Sequence, residues 1–319
     1  MRCARLVALF GIGLLGACGK YRDFKLPEQG GGPSVAWKWQ ARAEPVLSRG
    51  APGDWDAVDV LNPSVIRQGD AYYNFFSGYD GKTWHTGLAV SADGITWHNE
   101  GRILSDAANG SAIADDSGIL YYYQAGDPVE IGLARSRNGH EWTRNETPVL
   151  TVGPYGSWDE RGVADPYVIR AGQNYYMFYL GMDRAARQRL GVAISRDGVS
   201  WYKLRSNPIL ELGDYGTFDA NGLGEPAVWT ARGYYWMLYT GRDRGEMRRL
   251  GLARSRDGVH WEKLPVVMAG EQAWDSKVIC DPTVIQNGDR VTVWFGGGDV
   301  ASPDQNLHGQ IGLATLIAQ

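Results

Sequence analysis

The feature of this chain that most restricts its fold is a nine-residue motif written four times at identical internal spacing. Each copy starts with an aromatic residue and Asp and ends with a polar residue and Pro; the copies span Trp55–Pro63, Trp158–Pro166, Phe218–Pro226 and Trp274–Pro282. An alternating strand rich in Tyr and Trp follows each copy. A repeated unit of about 45–60 residues with three or four short strands is the size of a propeller blade.

The number of repeated units follows from a Gly-apolar-Ala strand that each unit contains. This strand occurs five times, at Gly87-Leu88-Ala89, Gly132-Leu133-Ala134, Gly191-Val192-Ala193, Gly251-Leu252-Ala253 and Gly312-Leu313-Ala314. Four of these strands lead into an Asp-Gly or Asn-Gly hairpin turn followed by a Trp. No sustained helical periodicity follows the N-terminal leader. The sequence therefore predicts an all-β, five-bladed β-propeller.

The two ends of the chain are predicted to pair. The fifth unit stops at Gln319 before its outer strand, whereas Trp39–Leu47 matches the outer strand of the second unit, Trp142–Leu150, at the same length. An N-terminal strand that completes the last blade hides sheet edges that would otherwise stay open. Residues 37–319 are accordingly predicted to form the propeller domain.

The N-terminus carries a predicted export signal. Arg2 and Arg5 precede an apolar run over residues 6–17 that is too short to cross a bilayer. The Cys18 that follows resembles the lipidated residue of the bacterial lipobox, which implies attachment to the cell envelope by lipid alone; an ordinary signal peptide with an incidental Cys is the alternative. The Gly- and Pro-rich residues 18–36 are predicted to be a flexible tether.

Charge and cysteine content exclude some classes of protein. Without the leader arginines, 30 basic residues face 36 acidic ones, a formal charge of −6, so a nucleic-acid partner is not expected. After cleavage before Cys18 the domain keeps only Cys280, which predicts neither a disulfide nor a thiolate zinc site.

The residue before each motif Pro varies, and this variation points to the functional site. The first strand of a blade lines the central channel, so these residues should ring the mouth of a funnel; in order they are Asn62, Gly110, Asp165, Glu225 and Asp281. Clustered carboxylates raise one another's pKa, as general acid catalysis at a glycosidic bond requires. Capping of backbone N–H groups in the next loop is the alternative.

Other repeated residues divide into scaffold and substrate candidates. The Asp of each aromatic-Asp pair and the hairpin Trp residues recur in most units, so they are interpreted as scaffold. Trp84 has no counterpart and is predicted to stack on substrate. Arg184, Arg242 and Arg244 follow second strands and are predicted to bind substrate hydroxyls or a carboxylate, with surface charge as the alternative.

Four stretches of the chain resemble the five-bladed propeller glycosidases, which include glycoside hydrolase families 43, 32, 62, 68 and 130, with family 43 closest in pattern. They are Asp165-Pro166-Tyr167-Val168-Ile169, Gly224-Glu225-Pro226-Ala227-Val228 and the two Ser-Arg-Asp-Gly-Val-x-Trp turns at residues 195–201 and 255–261. The resemblance implies that Glu225 is the general acid and that Asp165 tunes its pKa. It implies no required cofactor, and a structural calcium ion in the channel stays open.

One position departs from the family 43 pattern. Asn62 stands where that family keeps its catalytic base, and an amide cannot take a proton from water. Asp281 and Asp59 are the candidate substitutes.

Two classes of function follow. The first is a lipid-anchored glycoside hydrolase acting on furanosides or other plant or bacterial glycans, or a phosphorylase like those of family 130. The second is a glycan-binding propeller that has lost its base.

Overall fold

The computed structural model describes residues 20–33 and 35–319, so the predictions about the leader and Cys18 lie outside the described residues. This part of the chain holds one short 3-10 helix, Ala273–Asp275, and no helix that is long and apolar enough to cross a membrane. In chain order the strands are β1 Tyr21–Arg22, β2 Trp37–Ala41, β3 Asp59–Gln68, β4 Ala71–Tyr79, β5 Trp84–Ser91, β6 His98–Ser105, β7 Ala108–Asp115, β8 Gly118–Ala125, β9 Glu130–Ser136, β10 Thr143–Arg144, β11 Gly162–Ala171, β12 Asn174–Met182, β13 Gln188–Ser195, β14 Tyr202–Leu204, β15 Gly222–Ala231, β16 Tyr234–Arg242, β17 Arg248–Ser255, β18 Trp261–Met268, β19 Val278–Asn287, β20 Arg290–Gly298 and β21 Gln310–Ala318.

These strands form five antiparallel blades arranged as a ring. Blades 1 to 4 are β3 to β6, β7 to β10, β11 to β14 and β15 to β18, and blade 5 is β19 to β21 with β2 outside. The innermost strands contact one another in the order β3, β7, β11, β15, β19, and β19 returns to β3. The all-β, five-bladed propeller predicted from the repeat is confirmed.

The N-terminal strand closes the last blade. Strand β2 pairs antiparallel with β21, Trp37 opposite Ala318 and Ala41 opposite Ala314. The Trp37 ring packs edge-on against Trp229 and Trp236 of blade 4, at centroid distances of 5.8 and 5.4 Å. The predicted pairing of the chain's two ends is therefore confirmed, and blade 5 has no open outer edge along β21.

Tryptophans of the hairpin turns join neighbouring blades. Each packs edge-on against an aromatic residue on the second strand of the preceding blade; the pairs are Trp97 with Trp294, Trp142 with Phe75, Trp201 with Tyr122, and Trp261 with Phe178. Edge-to-face contacts add to the energy of burying the rings. The hairpin Trp residues are scaffold, as the sequence predicts.

The aromatic ring of each aromatic-Asp pair packs against a glycine that recurs later in the same unit. A Cβ atom on Gly78 would lie 2.2 Å from Cζ3 of Trp55, and one on Gly181 would lie 2.3 Å from Cζ3 of Trp158. These contacts are too short for any side chain, so the ring can cross the blade only over glycine. The motif and the glycine sixteen residues after its variable position are two halves of one packing contact.

The prediction of a flexible tether is wrong for residues 20–33, named here the strap. Strand β1 extends blade 3 by pairing in parallel with β14. Leu26 is 2% exposed, and its N–H donates to the Asp257 carbonyl at 2.9 Å. The Tyr235 hydroxyl donates to the Pro27 carbonyl at 2.8 Å. Gly and Pro weaken local structure, but burial of Leu26 between blades 3 and 4 holds the strap in place.

Candidate active site

Each inner strand carries a bulge at its motif dipeptide, where the register with the second strand shifts by one residue. The first residue of each bulge has a left-handed backbone, with φ of 50° at Asn62, 46° at Asn109, 48° at Asp165, 44° at Glu225 and 51° at Asp281. The bulge lifts these five side chains out of the pleat. All five line the central cavities of the ring.

The sequence misplaced the ring residue of blade 2. Counting from Gly126 selects Gly110, but Ala108 pairs with Gln124, as Leu61 pairs with Ser77 in blade 1. Ala125 therefore takes the place of the glycine in the other blades. The ring residue is Asn109, and Gly110 stands where the others have Pro.

The three ring carboxylates surround one funnel of about 410 Å³. Asp165 Oδ2 accepts the backbone N–H of Glu225 at 3.4 Å, and Asp281 Oδ2 accepts that of Asn62 at 3.2 Å. Asp165 Oδ1 also accepts from Asn109 Nδ2 at 3.1 Å. A carboxylate thus caps the ring residue of the next blade in two places, which is the alternative role that the sequence left open. The carboxylates that cap these backbone groups, Asp165 and Asp281, also line the funnel.

Two carboxyl oxygens keep no such partner. Glu225 Oε2 and Asp281 Oδ1 are buried without a hydrogen bond in the funnel wall. Burial and then the negative charge of Glu225 raise the pKa of Asp165 to about 7. The same two causes, in the same order, raise the pKa of Asp281 well above its usual value. The cluster therefore retains protons near neutral pH.

A buried arginine that the sequence did not single out completes the cluster. Arg248, at the start of β17, is 9% exposed and lines the funnel beside Glu225 and Asp281. Its Nη2 donates to the carbonyls of Ser302 and Pro303. The matching residue of blade 3 is Gln188. This difference between two otherwise similar repeats is the sequence signal that could have identified Arg248 as a functional candidate.

Two of the predicted substrate-binding residues lie in the funnel wall besides Asn62. Trp84 lines it and stacks on Tyr79 at a centroid distance of 4.9 Å. Arg242 lines it as well, with Nη2 donating to Gln188 Oε1 at 2.8 Å and Nη1 donating to Glu246 Oε2 at 2.9 Å. Their roles toward a substrate remain predictions.

Asp59 is not a candidate base. It is fully buried and accepts the backbone N–H groups of Asn306, Leu307 and Gly309 at 2.7, 3.0 and 2.8 Å. Its carboxylate is occupied by holding the loop between β20 and β21, and it does not line the funnel. Proximity in sequence to Asn62 was misleading, because strand residues three apart point to opposite faces outside a bulge.

Arg184 and Arg244 lie on the outer rim of the ring and not in the funnel. The Arg184 guanidinium sits 4.0 Å from the ring centroid of Tyr155, and that of Arg244 sits 4.8 Å from that of Tyr215. These two arginines therefore lie outside the funnel, and their predicted binding of substrate hydroxyls or a carboxylate stays a prediction.

Within residues 20–33 and 35–319, no group of three or more His, Cys, Asp or Glu side chains is arranged to hold a metal ion.

The family model of glycoside hydrolase family 130, described as beta-1,4-mannooligosaccharide phosphorylase, matches residues 109–207. An uncharacterised protein of Mycobacterium tuberculosis is 30% identical over 158 residues, 46% of this chain and 52% of that protein. A 1,2-beta-oligomannan phosphorylase of Thermoanaerobacter is 27% identical over 133 residues, 39% and 44% of the two chains. The chain spans about half the length of the curated relatives it matches.

Solved structures share the fold over nearly the whole chain. One from work on family 130 hydrolases that target beta-1,2 mannosidic linkages in Candida mannan has a TM-score of 0.68 at 15% identity, covering 92% of this chain and 96% of that one. A beta-1,2-mannobiose phosphorylase from Listeria innocua has a TM-score of 0.68 at 10% identity, covering 88% and 97%. A thermostable family 43 hydrolase has a TM-score of 0.62 at 16% identity, covering 81% and 88%. The resemblance to the five-bladed propeller glycoside hydrolase superfamily is confirmed, and the fold is of the glycoside hydrolase and phosphorylase type.

Proposed function

We propose that this chain cleaves β-mannosidic bonds in short oligosaccharides by acid-assisted departure of the leaving sugar. The observation that carries the proposal is the Asp165 and Glu225 pair in the funnel, where Asp165 has a pKa of about 7. The β-mannoside class replaces the furanosides suggested by the family 43 pattern, because the matching family model and one curated relative are named for mannosides.

The pair supplies the proton. Two neighbouring carboxyls in a poorly solvated site do not both ionise readily, so the pair keeps one proton until the pH exceeds about 7. Asp165 is held at both oxygens by Asn109 and by the Glu225 backbone. Glu225 lines the funnel, and its Oε2 has no hydrogen-bond partner. Glu225 is therefore the residue proposed to pass the proton to the glycosidic oxygen, with Asp165 as its tuner.

One observation favours phosphate over water as the acceptor of the sugar. Asn62 cannot act as a base, so the group that activates water in the family 43 pattern is missing, and burial raises the pKa of Asp281, the remaining candidate substitute, well above its usual value. Phosphate is already an anion and needs no base. Arg242 and Arg248 line the same funnel and suit an anion. Phosphorolysis is accordingly the second candidate, beside hydrolysis.

The test uses purified protein with β-1,2- and β-1,4-mannobiose, with and without inorganic phosphate, and measures mannose and mannose 1-phosphate. We expect Glu225→Gln to lower kcat by about 10²–10⁴, because Gln keeps the shape but cannot supply the proton. Glu262→Gln, outside the funnel on the surface of blade 4, is the matched control and should change neither product. Mannobiose binding without either product would instead support the non-catalytic glycan-binding protein, with Asn62 as the mark of the lost base.

A further inference from the structure

A second cavity of about 340 Å³ lies on the rim of blade 3. It sits against the loop of residues 183–187, whose side chains Asp183, Arg184 and Arg187 line it. The residues on either side of this loop, Met182 and Gln188, line the funnel. The rim cavity and the funnel therefore lie on opposite sides of one loop, residues 183–187.

An exposed aromatic ring stands beside the rim cavity. Tyr155 is 85% exposed, yet its position is held by Arg184, which lies 4.0 Å from the ring centroid and donates from Nη1 to the Tyr155 hydroxyl at 2.7 Å. Arg184 is held in turn by Glu160, through Nε at 2.8 Å and Nη2 at 3.1 Å. A rigid ring with a solvent-facing surface binds partners at low entropic cost.

The cavity floor offers planar polar groups. Arg187 and Arg189 both pair with Asp183, at 2.7 and 3.0 Å. Arg189 is 8% exposed, and its Nε is buried without a hydrogen-bond partner. Planar donors and acceptors beside an aromatic face suit adjacent sugar hydroxyls.

The charge of the cavity favours a glycan over an anionic lipid surface. Three arginines, Arg184, Arg187 and Arg189, face two carboxylates, Glu160 and Asp183, and Glu211 pairs with Arg189 from the edge. The formal charges of these groups cancel. A membrane surface would instead select a cluster of unpaired basic residues.

We propose that Tyr155 and the rim cavity form a distal subsite for a neutral β-mannooligosaccharide whose end occupies the funnel. The proposal rests on the function proposed above, because it places the cleaved bond on the inner flank of the 183–187 loop. A chain that leaves the funnel across this loop meets Tyr155 and the Asp183 and Arg189 pair on the outer flank.

Blade 4 supplies a matched control. Tyr215 is 84% exposed and carries Arg244 at 4.8 Å, as Tyr155 carries Arg184. The repeat has Ala220 in place of Glu160 and Met247 in place of Arg187. Blade 4 thus repeats the exposed ring and the ion pair behind it, here Asp243 with Arg249, but lacks the counterparts of Glu160, which holds Arg184, and of Arg187.

The test is a chain-length series from mannobiose to mannopentaose, measured as kcat/KM in wild type, Tyr155→Ala and Tyr215→Ala. We expect kcat/KM to rise with length in wild type and in Tyr215→Ala, by about fivefold, and this gain to disappear in Tyr155→Ala. A gain retained by Tyr155→Ala, or no gain in wild type, would overturn the distal subsite.

Direct binding separates this inference from the proposed function. If no mannoside is turned over, the proposed function fails, and calorimetric titration with mannopentaose decides the subsite. Weaker binding by Tyr155→Ala than by wild type and Tyr215→Ala then supports it. Equal affinities of all three proteins, or no binding, overturn it.

Discussion

Asp165, Glu225 and Asp281 combine an unusual backbone with an unusual electrostatic environment. All three have a left-handed φ, between 44° and 51°, which costs about 1–3 kcal/mol for a residue other than glycine. Asn62 and Asn109 share the conformation, and Asn tolerates it better. The neighbouring strands and the hydrogen bonds between ring residues maintain this strain. It aims the carboxyl groups at the funnel, where burial raises the pKa of Asp165 and Asp281.

Asp165→Asn is expected to change how stability depends on pH. Asp165 has a folded-state pKa of about 7 against an ordinary value of 3.8, so from pH 4 to 7 the unfolded chain releases a proton that the folded chain keeps. Wild type therefore loses stability relative to Asp165→Asn as the pH rises through this window, on the order of a few kcal/mol. Urea unfolding at several pH values measures the difference.

Asp93→Asn is the control for this experiment. Hydrogen bonds from the Thr96 and Ile95 backbone lower the pKa of Asp93 to about 2, so it is ionised in both states over most of the window. Its stability difference from wild type should stay constant there. A difference between wild type and Asp165→Asn that is equally flat would show that Asp165 ionises normally in the folded protein.

At the scale of elements, the strap works as part of the fold. It adds β1 to blade 3, buries Leu26 beside Gly258 of blade 4 and leads into β2 of blade 5. The strap thus connects three blades of the ring. The sequence of the strap resembles that of a linker, because it is rich in Gly and Pro and shows no apolar periodicity. Only one of its residues, Leu26, is buried.

Leu26→Ala is expected to lower the free energy of unfolding by about 2–5 kcal/mol, because it removes a buried side chain and leaves a cavity between blades 3 and 4. Lys25→Ala is the neighbouring control. The Lys25 side chain is 63% exposed, and its ion pair with Asp257 is of the surface type, which contributes little to stability. Equal, small effects of both variants in chemical unfolding would mean that the strap detaches in solution.

At the scale of the whole molecule, the strap determines how a lipid anchor would hold the propeller. Lys20 Nζ donates to Thr151 Oγ1 at 3.2 Å, and the Lys203 N–H donates to the Lys20 carbonyl at 2.9 Å. The packed domain thus begins two residues after Cys18. A lipid on Cys18 would place the edge of blade 3 close to the membrane, without a long spacer.

Cys18→Ser is expected to release the protein from the membrane fraction, since the sequence around Cys18 predicts lipidation there. The thermal unfolding midpoint should stay unchanged, because the contacts of the strap begin at Lys20. Fractionation followed by immunodetection measures the first effect. A Cys18→Ser protein that still sediments with membranes would contradict the lipid anchor.

The sequence alone determined the ring. A motif repeated at constant spacing requires repeated packing, and this was enough to predict five blades, the closing strand and the convergence of Asp165, Glu225 and Asp281. The Trp55 ring over Gly78 shows why the signal is strong, since both residues of the contact are visible in the repeat.

Only the tertiary structure decided which candidates face the funnel. Asp59 lies near Asn62 in sequence, but three backbone N–H groups from a loop about 250 residues away claim its carboxylate. Arg248 reaches the funnel while Arg244, four residues earlier, turns to the rim. Leu26 becomes a core residue through blades that follow it by more than 140 residues. Such contacts depend on the closed ring, because it brings distant segments together, and no local pattern records them.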